Sequence, residues 1–167
     1  MSKRVRQYLG IILAVLCYYL VHEGAHFIYA LSTGVFKKIN FMGLGVQIDV
    51  FAEKMTDTQM GIFCILGSVT TLIVAYLLVL LANPICKSDS KVFKACMYYI
   101  TIIMLFLDPI YLGILCGFFG GGDMNGIALL IPEVAARIGY GIVLIINALV
   151  FWKNILPKYT KAFSTKE

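Results

Sequence analysis

Four long apolar segments, separated by short polar connectors, dominate the pattern of the chain. They cover residues 8–33, 61–82, 95–119 and 127–152. Each can supply the roughly 20 residues that an α-helix needs to cross the hydrocarbon core of a bilayer. No internal repeat or linker divides the chain. The pattern therefore predicts an all-α membrane protein with about four transmembrane helices, folded as a single domain over residues 1–167.

The connector after the first segment departs from this helical pattern. Its stretch INFMGLGVQIDVF alternates apolar and polar residues between Val46 and Val50. Such alternation is typical of a β-strand, and Gly43 and Gly45 permit a turn before it. Open strand edges are not tolerated in contact with lipid. We therefore expect a short β-hairpin that lies at the interface or against the helices, with an irregular surface loop as the alternative.

Composition and charge support a membrane protein. Hydrophobic residues make up 60% of the chain and charged residues only 14%, whereas a soluble domain carries about 25% charged residues. The net charge of +5 does not indicate nucleic-acid binding, because the basic residues lie at the chain ends and in short connectors. Ten of the fourteen Lys and Arg residues fall on one side of a four-span topology. By the positive-inside rule, this predicts a multi-pass protein of the cell membrane with both termini in the cytoplasm.

The stretch VHEGAHFIYALSTG places three ionisable side chains inside the first apolar segment. His22 and His26 are the only histidines of the chain, and Glu23 follows the first of them. Ionisable groups at membrane depth cost about 2.5–3.5 kcal/mol each even on mild insertion scales, so they indicate a functional site. Histidines four residues apart share one face of a helix and bind one metal ion, while the adjacent glutamate serves as a general base. This pattern predicts one zinc ion.

A catalytic zinc ion usually has three protein ligands and a water, so the two histidines need a third partner. The candidates are Asp108 in LFLDPIYLG, Asp123 in FFGGGDMNG and, less favoured, Glu133. Asp123 follows three glycines that allow the helix to unwind, and it lies in the same outer half of the membrane as the histidines. We therefore favour Asp123, while Asp108, which precedes Pro109, remains open as the third ligand.

Together, HEGAH in a first membrane helix, ILGSVTTL in the second span and the later GGGDMNGIALL resemble the site-2 protease family of intramembrane zinc metalloproteases. The resemblance covers residues 8–152 and implies a minimal member without a PDZ or CBS module. It implies one zinc ion bound by His22, His26 and Asp123, with Glu23 as the catalytic base and Asp108 in a supporting position. It also implies hydrolysis of membrane-anchored proteins or peptides within the lipid bilayer.

Weaker candidates concern substrate binding and other functions. Val46 and Ile48 lie in the predicted strand, where an extended substrate can add as a further strand. Asn125 is a candidate for binding the substrate backbone or orienting a ligand, although a helix-start role explains it equally well. A catalytically inactive zinc-binding adaptor and a small metal transporter are the alternative functions. The sequence predicts neither the identity of the substrate nor the oligomeric state.

Overall fold

The structure is a computed structural model, and it describes residues 1–43, 45–119 and 122–164. Four stretches of helix in these ranges are long and apolar enough to cross a membrane. They are Lys3–Ser32, Asp57–Leu80, Lys91–Phe118 and Glu133–Ser164. The predicted fold class, with four apolar helices and a short hairpin after the first, is therefore confirmed.

The elements follow one another in this order. Helix α1 (Lys3–Ser32) leads into strands β1 (Phe36–Met42) and β2 (Gly45–Val50) and a 3-10 turn (Ala52–Lys54). Helices α2 (Asp57–Leu80) and α3 (Ala82–Cys86) come next, before α4 (Lys91–Ile110), a π-helical turn (Tyr111–Leu115) and α5 (Cys116–Phe119). The described part of the chain ends with helices α6 (Asp123–Ile127) and α7 (Glu133–Val150), a second π-helical turn (Phe151–Ile155) and α8 (Leu156–Ser164).

Polar residues with short side chains start three of the long helices. The hydroxyl groups of Ser2, Thr56 and Ser90 each accept a hydrogen bond from a backbone N–H in the first turn of α1, α2 and α4. At α2, Gln59 also accepts from the backbone N–H of Thr56, which completes a capping box. These bonds satisfy N–H groups that have no partner inside the helix.

The fourth apolar segment differs from its prediction at both ends. Residues 127–131 are apolar but do not begin the long helix, which starts after Pro132 and extends past Trp152 to Ser164. Proline lacks an N–H and pushes the residue before it out of helical geometry, so the helix starts just after it. As a result, Asp123 lies in a separate short helix between the third and fourth spans.

A proline inside α4 is compensated by a side chain from another helix. Pro109 has no N–H to donate to the carbonyl oxygen of Leu105, four residues earlier. The side-chain amide of Asn147 in α7 donates to that oxygen instead, at 2.5 Å, and its own oxygen accepts from the Tyr76 hydroxyl at 2.7 Å. Three spans are thereby joined by polar contacts next to Asp108, the residue that precedes the proline.

The connector after α1 forms the expected hairpin, so the irregular-loop alternative is wrong. Strands β1 and β2 pair in antiparallel register, with Ile39 opposite Ile48 and Phe41 opposite Val46. Leu44, which lies between the two strands in the sequence, is outside the described residues. The side chain of Ile48 is buried, and β2 contacts α1. The sheet therefore lies against the helix that carries the HEGAH sequence.

Candidate metal centre

Helix α1 turns both histidines toward the interior of the bundle. His22 is 6% exposed and His26 is 3% exposed, whereas Leu20 and Ile28 on other faces of the helix are exposed. The two imidazole rings lie one helical turn apart, with their centroids separated by 4.9 Å. Because both side chains face protein rather than lipid, they are available to bind a shared ligand.

One carboxylate oxygen of Asp123 lies close to the Nε2 atom of each imidazole. Its Oδ2 lies 3.0 Å from Nε2 of His22 and 3.5 Å from Nε2 of His26. Zinc bonds of 2.0–2.2 Å in a tetrahedron place neighbouring ligand atoms about 3.3 Å apart. The two nitrogens and the carboxylate oxygen therefore fit the donor set of one zinc ion.

A glycine immediately before Asp123 sets the direction of this residue. Gly122 has φ of +44°, a value that L side chains rarely adopt, and Asp123 then begins α6. Of the three glycines expected to loosen the helix here, Gly120 and Gly121 lie outside the described residues. The positive φ of Gly122 directly precedes Asp123, whose carboxylate reaches the histidines from beyond the third span.

The middle of α2 forms a further wall of the site. An added Cβ at Gly67 would lie 2.6 Å from Nε2 of both His22 and His26. Glycine at this position therefore leaves open the space that the two nitrogens share. The same side chains that face Asp123 also face this gap, so the gap belongs to the candidate metal centre.

We expect Gly67→Ala to reduce metal binding strongly, because its methyl group would occupy the space next to both nitrogens. Zinc content of the purified variant, measured by mass spectrometry of the metal, should fall at least about 10-fold, the lower range for disturbing the support of a metal ligand. Gly24→Ala is the matched control, since an added Cβ there has no atom within 4 Å. Equal zinc content in the two variants would contradict the prediction.

Asp108 lies behind His22 rather than between the two histidines. It is 1% exposed, and its Oδ1 lies 3.3 Å from Nδ1 of His22. It also accepts a hydrogen bond from the Tyr18 hydroxyl at 2.5 Å and one from the Thr71 hydroxyl. A carboxylate that accepts from the Nδ1–H of a histidine leaves Nε2 unprotonated and able to bind a metal. This arrangement fits the supporting position expected for Asp108.

Tyr18 is the residue of this network that sequence reasoning missed. Aromatic residues on membrane helices are usually packing or interface residues, yet the Tyr18 hydroxyl lies 3.2 Å from Nδ1 of His22 and donates to Asp108. Its position four residues before His22, on the face shared with His26, is the signal that could have identified it. The Thr71 hydroxyl donates to the backbone oxygen of Ser68 at 2.9 Å, and it contacts Asp108 as well.

Glu23 is held by the hairpin. Its Oε2 accepts a hydrogen bond of 3.0 Å from the backbone N–H of Ile48 in β2. A carboxylate oxygen of Glu23 and one nitrogen from each histidine lie within 4.8 Å of one another. The carboxylate therefore lies close enough to act on a molecule that the metal centre binds, and the strand restricts its orientation.

A cavity of about 280 Å³ connects these groups to the hairpin. The histidines, Glu23 and Asp123 line it together with Val46 and Ile48 of β2. The space lies where the predicted strand and the predicted ligands meet.

Two of the other candidates lie away from this cavity. Asn125 is exposed and does not line it. Glu133 is also exposed and pairs with Arg137 at 3.4 Å. Of the acidic third-ligand candidates, the structure brings Asp123 and Asp108 to the histidines and leaves Glu133 outside.

No family model, curated protein or solved structure matches the chain.

Proposed function

We propose that the protein is an intramembrane zinc metalloprotease, which hydrolyses peptide bonds in or near the transmembrane segments of membrane-anchored proteins. One observation carries the proposal. Nε2 of His22, Nε2 of His26 and Oδ2 of Asp123 converge in an apolar bundle, beside the carboxylate of Glu23. Burying this many ionisable groups among apolar helices is costly, and such groups are usually retained for function.

The proposed chemistry divides the roles among four side chains. His22, His26 and Asp123 would hold one zinc ion, and the chemistry that zinc supplies when bound is activation of a water and polarisation of the scissile carbonyl. Glu23 would accept the proton of the attacking water and return it to the leaving amine. Asp108 would orient His22 through Nδ1, which keeps Nε2 directed at the centre.

The surroundings of the site support a membrane-anchored peptide as the substrate. A helical substrate has its carbonyl groups hydrogen-bonded, so it must unwind before its backbone can be attacked. Strand β2 lines the cavity through Val46 and Ile48, next to Glu23. An extended peptide that added to β2 would therefore lie across the candidate centre, by the strand-addition mode known from peptide recognition.

The proposed location is the cell membrane, with both termini in the cytoplasm. Lys3, Arg4 and Arg6 begin the first span, the connector before α4 carries further lysines, and the chain after α7 is rich in lysine. This asymmetry is the usual orientation signal. The histidines and Asp123 would then lie in the half of the membrane away from the cytoplasm.

The experiment that tests the function compares membrane-anchored peptides in cells that express the wild-type chain or the double variant His22→Ala/His26→Ala. We expect truncated membrane peptides to accumulate only in the cells that express the wild-type chain. In the purified protein, reconstituted with such a peptide, a zinc chelator should stop cleavage and added zinc should restore it. Identical peptide profiles in the two strains, with zinc bound to the wild-type protein, would favour an adaptor and overturn the protease proposal. Zinc uptake into vesicles without cleavage would favour a transporter.

A further inference from the structure

A second cavity lies at the end of the bundle where α1 and α4 begin and α8 ends. It has a volume of about 530 Å³ and shares no lining residue with the cavity beside the histidines. Ligand sites in proteins commonly measure about 300–1,000 Å³. The second cavity is therefore large enough for a small ligand, and none of the groups in the proposed protease mechanism contributes to it.

The charged side chains that line this cavity in the described part of the chain are all basic. Lys3, Arg6 and Lys91 line it, and among the described residues no acidic side chain does. The first turns of α1 and α4 also contain no acidic residue. The partial positive charge at these two helix N-termini therefore adds to that of the three side chains.

A buried lysine adds to the same field. Lys94, one turn further along α4 than Lys91, is only 7% exposed, and its Nζ donates to the carbonyl oxygen of Ala162 at 3.1 Å. No carboxylate among the described residues lies within ion-pair distance of it. A group of cations around a cavity whose described lining includes no acidic residue favours an anion as the occupant.

The walls of the cavity combine this charge with aromatic surface. Tyr98, Tyr159 and Phe163 line it beside the cations. Val5 and Leu9, which flank its α1 residues, expose apolar side chains. A ligand that carries both a negative charge and apolar chains would satisfy both kinds of surface.

The length of α1 indicates where the cavity lies relative to a bilayer. Its 30 residues span about 45 Å at 1.5 Å per residue, which exceeds the roughly 30 Å of the hydrocarbon core. The first turns, with Lys3 and Arg6, therefore reach the level of the lipid headgroups. Basic pockets between membrane helices at this level are a known form of headgroup recognition.

We propose that this cavity binds the phosphate of an anionic phospholipid headgroup. The three cations would contact the phosphate, while the lipid chains would follow the apolar face of α1. The proposal requires only that the helices span a membrane, and it is independent of the protease function. Free inorganic phosphate presents the same chemistry without the chains, so the test must separate the two sources.

The test uses the full-length purified protein in a neutral detergent and counts retained lipid by native mass spectrometry. We expect one phosphatidylglycerol to be retained per chain, with phosphatidylcholine retained far less and inorganic phosphate at millimolar concentration unable to displace the lipid. The triple variant Lys3→Gln/Arg6→Gln/Lys91→Gln should lower phosphatidylglycerol retention on the order of 10-fold or more, since each cation near a membrane surface contributes appreciably to anionic-lipid binding.

The matched control is Lys87→Gln/Lys153→Gln/Lys158→Gln, which removes the same charge from the same side of the predicted topology but outside the cavity. This variant should retain the lipid as the wild type does. Equal losses of phosphatidylglycerol in the two triple variants would overturn the proposed site, because general attraction of the lipid to a basic surface would then explain its retention. Equal retention of the two lipids by the wild-type protein, or displacement by inorganic phosphate, would overturn the lipid assignment even if the triple variant fails to fold.

Discussion

Glu23→Gln should abolish peptide cleavage while the protein still binds zinc. Loss of a general base costs about 10²–10⁴-fold in rate. Glutamine has the same shape, and its side-chain oxygen can still accept the hydrogen bond that the Ile48 N–H donates to Glu23. Cleavage of a reconstituted membrane peptide and zinc content of the same preparation are the two measurements.

The comparison of those two measurements distinguishes the roles open to Glu23. Its carboxylate lies close enough to both imidazoles to be a metal ligand itself. Loss of zinc together with cleavage would identify Glu23 as a ligand and contradict its role as the base. Glu133→Gln is the matched control, because it makes the same chemical change at an exposed residue outside the cavity, and it should leave both measurements unchanged.

Asp123→Ala should produce the second large effect, on zinc affinity itself. Its Oδ2 is the carboxylate oxygen that faces Nε2 of both His22 and His26. Replacing a residue that supports a ligand costs about 10–100-fold in metal affinity, and losing a ligand should cost more than about 100-fold. Competition with a fluorescent zinc chelator measures the affinity, and cleavage should disappear with it.

Asp108→Asn tests which aspartate is the third metal ligand, because the sequence leaves both Asp108 and Asp123 as candidates. Asparagine retains the size of the side chain but loses one acceptor oxygen in a network that contains Tyr18, Thr71 and His22. Zinc affinity should fall within about 10–100-fold, as for other partners of a metal-binding histidine. A larger loss with Asp108→Asn than with Asp123→Ala would reverse the assignment of the third ligand.

The spans and the hairpin could be predicted because their signals are local in the sequence. A run of about 20 apolar residues is sufficient to indicate a membrane helix, and the alternation from Val46 to Val50 indicates a strand without knowledge of its neighbours. The error at the fourth span arose from treating residues 127–131 as helix by hydropathy alone, although Pro132 starts the helix after them.

The contacts around the histidines could be predicted only in part. The spacing of His22 and His26 predicts a shared helix face. Asp123, which we favour as the third ligand, lies within 3.5 Å of Nε2 of both histidines, and its role as a ligand stays a prediction. The network behind His22 depends on how α1, α2 and α4 pack, because Tyr18, Thr71 and Asp108 come from different spans. Hydropathy gives the number of spans but not the rotation of one helix against another.

In the proposed mechanism, the hydrogen bond from the Ile48 N–H to Glu23 would let the hairpin influence the rate of peptide hydrolysis. Through this hydrogen bond, strand β2 restricts the rotation of the Glu23 carboxylate. The bond involves none of the three proposed zinc-binding atoms. A reactive group held in place before the substrate arrives loses less entropy in the transition state. Alterations to the sheet that leave the proposed zinc-binding atoms in place are therefore expected to slow the proposed hydrolysis without reducing zinc content.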